Sequence, residues 1–152
     1  MVLARQKMWL ITAVLATAFI AASCASMRGG VEGDLGRAAA QISSAAVSSQ
    51  LSLDAYATDR TTVAATDTAL GDMLEEVDRA AVAAADRAVD STAQASLRSE
   101  VIRSAGAISE YIVRGRDIVA GLGARADAAQ VAVLLGDAGK DAQLLSERLG
   151  VG

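Results

Sequence analysis

From Asp34 onward the apolar positions recur at intervals of three and four residues, and no stretch shows the strict alternation of a half-buried strand. A first stretch places Leu35, Ala38, Ile42, Ala45, Leu53 and Tyr56 on one helical face, with Ser49 as a weak point. The polar string Thr58-Asp59-Arg60-Thr61-Thr62 interrupts it. A second stretch carries Val63, Leu70, Leu74, Val77, Ala81, Ala84 and Ala88. The pattern breaks again over Asp90–Gln94, where Ser91 and Gln94 have the spacing of a capping box: the hydroxyl accepts from an amide three residues on, and the Gln side chain reaches back. The third stretch is the cleanest, with Leu97, Val101, Ala105, Ile108, Ile112, Val119 and Leu122 on one face and Arg98, Arg103, Glu110, Arg114 and Asp117 on the other. Gly121-Leu122-Gly123 then supplies a glycine able to end a helix in the left-handed conformation. The last stretch uses Ala128, Ala132, Leu135, Ala142, Leu145 and Leu149 and stops at Gly150.

Four helices of about 22–30 residues with short connectors favour antiparallel neighbours, so the expected fold is all-α, an antiparallel four-helix up-down bundle over residues 34–150. The alternative is a long two-helix hairpin, helical straight through 58–62 and 121–123. The Thr-rich and Gly-containing breaks favour four helices. Gly71, Gly106, Gly115, Gly136 and Gly139 fall inside the helices, each at about 1 kcal/mol relative to Ala. Gly136 and Gly139, with Asp137 between them, are expected to kink the last helix or end it early.

Composition narrows the chemistry. The 152 residues include 35 Ala but no His, Pro or Asn, and a single Cys. Without His there is no Ser-His-Asp or Cys-His arrangement and no His-containing zinc or di-iron site. One Cys excludes a disulfide framework and any CxxC motif. A formal net charge of −4 argues against binding nucleic acid by phosphate neutralisation. Residues 54–90 hold nine acids and three bases, whereas residues 97–125 hold five bases and three acids, so the second helix is expected to lie beside the third. The core is expected to be thin, since each Ala buries little area at about 25 cal/mol per Å².

The amino terminus has a different pattern. Arg5 and Lys7 precede an uncharged run, Met8–Ala22, of 15 residues. As a helix it spans about 22 Å, short of the roughly 30 Å of a bilayer core, and suits a signal-peptide apolar region. The string Ala21-Ala22-Ser23-Cys24 that follows resembles the lipobox of bacterial lipoproteins, with Ala21 where Leu is more usual. The resemblance implies that residues 1–23 are a signal peptide, that Cys24 receives a diacylglycerol on its sulfur, and that Cys24 becomes the first residue of the mature chain. It also implies a bacterial cell-envelope protein held at the membrane by lipid, with its domain on the extracytoplasmic side. Plain secretory cleavage and an uncleaved anchor are the competing uses of the same run. Residues 24–33, with three Gly, read as a flexible tether of roughly 17 Å reach. The Ala-rich remainder is similar in style to small helical lipoproteins of unassigned role.

No catalytic, cofactor-binding or metal-ligating set emerges beyond the lipidation residue Cys24. Glu75, Glu76 and Asp78 are the densest acids, but a hard cation needs several converging oxygens, usually on a loop. Ser43, Ser44, Ser48 and Ser49 have no neighbouring base, and Lys140 forms no SxxK motif with any Ser. Arg114-Gly115-Arg116 is a small basic spot, expected to face the acidic second helix, and Tyr56 and Tyr111 are expected to fill core. The functional expectation is a lipid-anchored structural or protein-interaction module with an envelope protein as partner and no enzymatic activity. The alternative is a carrier or sensor holding a small apolar ligand or lipid between helices, which calls for an apolar cavity of about 300 Å³ or more.

Overall fold

The computed structural model describes residues 29–151. They form four helices: α1 (Gly30–Ala57), α2 (Val63–Ala85), α3 (Thr92–Asp117) and α4 (Asp127–Arg148), with a π-helical turn, Ile118–Leu122, after α3. The described residues contain no strand. Residues 1–23, Cys24 and the first part of the expected tether lie outside them.

Contacts between helices fix the topology as up-down-up-down. Ser43 meets Gly139 near the middle of α1 and α4, and Arg125 reaches Tyr56 where α1 ends and α4 is about to begin, so these two helices are antiparallel. Arg87 reaches Asp34 between α2 and α1, Arg116 reaches Asp67 between α3 and α2, and Arg148 reaches Glu100 between α4 and α3. α1 and α3 are diagonal and parallel, touching where Leu53 lies against Gly115. The long two-helix hairpin does not form. Both places where it required continuous helix are broken.

The first break is a Schellman closure. Arg60 N–H donates to the Ala55 carbonyl (2.8 Å) and Asp59 N–H to the Tyr56 carbonyl (3.1 Å), with Asp59 in the left-handed region at φ 55°. Asp tolerates that conformation better than most side chains. Thr62 then caps α2 by accepting from Ala65 N–H. The second break is the π-turn, which ends on Gly121 at φ 89°. The connector between α2 and α3 carries the expected capping box with one change: Ser91 Oγ accepts from Gln94 N–H (3.2 Å), while the Gln94 side chain accepts from Asp90 N–H (3.0 Å), one residue earlier than in the usual pairing. α4 ends in a second Schellman closure on Gly150 at φ 83°, with Val151 N–H donating to the Ser146 carbonyl.

The core is the row of apolar positions read from the sequence, with some corrections. All six positions named in α1 and all six in α4 are buried. Three others are exposed for local reasons: Val63 is the first residue of its helix, Ala88 lies beyond the end of α2, and Leu122 is turned outward on the π-turn. Ser49 is fully buried and satisfied by donating to the carbonyl of Ala45 (2.8 Å). The helix also starts earlier than the boundary at 33/34. α1 begins at Gly30, and Gly33 and Gly36 are buried. Gly36 is where α4 closes over α1, since a methyl group there would meet Val151 Cγ2 at 2.7 Å.

Gly136 and Gly139 neither kink nor end α4, which continues to Arg148. They are contact points. A Cβ on Gly139 would sit 3.2 Å from the Ala46 Cβ, and one on Gly136 would meet the Gln50 side chain at 2.7 Å. Between them the buried hydroxyl of Ser43 donates to the Gly139 carbonyl at 2.8 Å. With Ala39, Ala46, Ala128, Ala132 and Ala142 also buried, small side chains let α1 and α4 approach closely along their length.

The acidic α2 does lie beside the basic α3. Among the described residues a single ion pair joins them, Arg116 to Asp67 at 2.9 Å, supplemented by Arg98 donating to the Arg87 carbonyl just beyond α2. Both members of the ion pair are about half exposed, so the bridge contributes at most about 1 kcal/mol. Apolar burial holds the bundle, and charge helps select the neighbour.

Candidate functional site

Cys24 and the string Ala21–Cys24 lie outside the described residues, so the lipidation site has no geometry here. Its distance along the chain is informative. Gly30, where α1 begins, is six positions after Cys24. The start of α1 lies at one pole of the bundle together with the α2–α3 connector and the end of α4. At the opposite pole are the connectors 58–62 and 118–126.

That opposite pole contains the most elaborate polar arrangement. Arg125, in the connector before α4, stacks on the Tyr56 ring with its guanidinium carbon 4.2 Å from the centroid. The same guanidinium donates to the Tyr56 carbonyl (3.2 Å) and pairs with Asp59. It satisfies a carbonyl in the last turn of α1, where cations are favoured, and holds the left-handed Asp59 in place. Asp59 and Arg125 were not singled out by sequence. The combination of an Asp at a helix end and an Arg in a connector 66 residues away carries no local signature. Tyr56 is core, as expected, and Tyr111 is partly buried at the edge of the apolar cluster. Beside this latch, the π-turn presents Leu122 at 80% exposure.

One depression lies between α3 and α4. It has a volume of about 290 Å³, a floor of Ala107, Ala138 and Leu145, and a rim of Glu100, Arg103, Ser104 and Asp141. It runs on toward Leu144, Glu147 and Arg148, and the Arg148–Glu100 pair (2.6 Å) spans the seam at that end. The groove opens to solvent. Its floor is apolar and its rim charged.

The other sequence candidates are dispersed. Glu75 and Asp78 are exposed on α2, while Glu76 pairs with Arg79 one turn away. Among the described residues no three acidic, His or Cys side chains converge as a metal site would require. Arg114 is exposed and Arg116 is taken by Asp67. Ser43, Ser49, Thr66 and Ser146, the buried polar residues, each donate to a backbone carbonyl. Lys140 pairs with Asp137 at 3.0 Å. No helix of the described residues is long and apolar enough to cross a membrane. Comparison with known proteins found no matching family model, no matching curated protein and no matching solved structure.

Proposed function

We propose that this chain is a lipid-anchored envelope protein whose helical bundle acts as a structural or protein-interaction module on the extracytoplasmic side of a bacterial membrane, without catalysis. The observation that carries the reading is the placement of Cys24 after a 15-residue apolar run and small residues, six positions before the bundle begins. Six residues of chain reach roughly 13 Å, so an acylated Cys24 would keep the pole bearing the start of α1 beside the headgroups. α1 is 28 residues long, about 42 Å as a helix, so the opposite pole with Arg125 and Leu122 would stand clear of the surface. Two or three acyl chains suffice for stable anchoring. The buried hydroxyls serve the backbone, which supports a binding role over a chemical one. The carrier alternative asks for an enclosed apolar slot. The α3–α4 groove is open and rimmed by charge, which favours a protein partner over a held lipid.

The test is the mass and location of the full chain expressed in a bacterial host. The mature protein should begin at Cys24, carry acyl mass and sediment with membranes, and Cys24→Ala should release it or leave it unprocessed. An unmodified Cys24 in a soluble product would remove the anchor. Affinity capture of the acylated protein from envelopes should enrich a partner that Leu122→Asp loses. Retention of every captured protein by that variant would remove the exposed pole from the reading.

A further inference from the structure

Four of the bundle's exposed large apolar side chains lie along the outer seam of α1 and α4: Val47, Leu51, Val133 and Leu144, between 42% and 62% exposed. Val47 and Leu144 line one open depression of about 510 Å³ with Ser43, Gly139, Lys140 and Gln143. Leu51 is one turn beyond Val47. The antiparallel register set by Ser43–Gly139 and Gln50–Gly136 brings Leu51 level with Val133. The same face is electrically quiet. From Ala38 to Leu53, sixteen consecutive residues of α1 include no charged side chain. On the adjoining face of α4 the charges Asp137 and Lys140 neutralise each other.

We infer that this uncharged outer face of α1 and α4 is a self-association surface that takes a second copy of the same chain. The described residues carry eighteen acids and eleven bases, so two copies repel over most approaches. On this face that repulsion is weakest, and an isologous contact needs only a patch that matches itself. A membrane is the poorer occupant, because surface-bound helices flank their apolar stripe with Lys and Arg, whereas this face has Ser, Gln and one paired Lys. The exposed charges Asp137 and Lys140 on this face cancel, so a partner of one strong sign gains little here. The simplest arrangement is a two-fold axis parallel to the helices, which lays α1 of one copy over α4 of the other, sets Leu51 opposite Val133 of the second copy and keeps the two α1 starts at one pole. Sixteen residues of each helix give a face roughly 24 Å by 18 Å, or about 900 Å² over both copies. That is below the roughly 1,200 Å² where stable specific interfaces begin and describes a weak, reversible dimer. The inference is independent of the lipid anchor.

The experiment uses the full chain with Cys24→Ser, which removes the single native thiol, in two differently sized tagged forms. One form carries Leu51→Cys and the other Val133→Cys, and they are mixed under mild oxidation. The expected result is a mixed disulfide dimer forming at least tenfold faster than when Val82→Cys, equally exposed but on α2, replaces either partner. Val47→Glu should abolish the preference while leaving the thermal melt unchanged. If Val47→Glu alters the melt, Ser44→Glu on the same exposed face takes its place. Equal rates for the three pairs, or a preference that survives a folded Glu variant, overturn the inference. So does labelling of the Leu51→Cys thiol by bilayer-confined reagents in place of the partner chain.

Discussion

α4 meets its two neighbours in opposite ways. Toward α1 it presents Gly136, Gly139, Ala128, Ala132 and Ala142, and the helices approach until a hydroxyl on one bonds a main-chain carbonyl on the other. Toward α3 it presents Ala138, Asp141 and Leu145 and leaves an open groove bridged by an ion pair at one end. Both seams are rich in small residues, so smallness alone does not bring helices together. In the first seam the small residues are backed by buried apolar ones, Leu35, Ile42, Leu53, Val131 and Leu135, whose burial draws the helices in. In the second, Glu100, Arg103 and Asp141 border the small residues, and the gap stays open to solvent. A small residue permits close approach, and the side chains around it determine whether approach occurs.

Three substitutions and one control, Ser44→Ala, sharpen this contrast. Gly139→Leu should have the largest effect. It drives a branched side chain into Ala46 and breaks the Ser43 bond, with a loss of about 3 kcal/mol and a fall in Tm of roughly 10 °C in thermal unfolding. Ser43→Ala should follow at about 1 kcal/mol, the worth of one buried neutral hydrogen bond, whereas Ser44→Ala on the exposed side should leave the urea midpoint unchanged. The smallest effect should have the opposite sign. Ala107→Leu adds apolar area over the floor of the α3–α4 groove and should stabilise by up to about 0.5 kcal/mol in the same titration. A loss of 2 kcal/mol or more for Ala107→Leu would mean that the groove is filled in solution and that the two seams are alike.

Much of the fold was legible because one rule, spacing at three and four, applies wherever a helix is regular. Every position it named in α1 and α4 is buried. It failed at element ends. Leu122 continues the periodic row of α3, but the π-turn and the left-handed Gly121 rotate it into solvent. Ala88 continues the row of α2, but the helix stops at Ala85. Gly136 and Gly139 were misread because glycine in a helix weakens it locally, while their benefit lies with a partner more than 80 residues away. Glycine at 150 and glycine near 121 were read correctly because a left-handed closure is a local requirement. Asp59 performs the same closure and went unnoticed, since its stabilising partner Arg125 is distant in sequence. The lipidation expected at Cys24 rests on a local string and lies outside the described residues. The charge-free run Ala38–Leu53 is visible in one stretch of sequence, but its pairing with α4, like the α3–α4 groove, depends on register between helices.

The return of α4 to the start of α1 has a practical corollary. Val151 covers Gly36, and Gly29 leads into α1 only two turns away. The described ends are therefore near enough to be sewn together by a brief Gly-Ser bridge, and new ends can be cut between Leu122 and Gly123 without opening any of the four helices. A circularly permuted bundle of this kind would turn the molecule's polarity around, offering a route to display cargo from either pole of one unchanged scaffold.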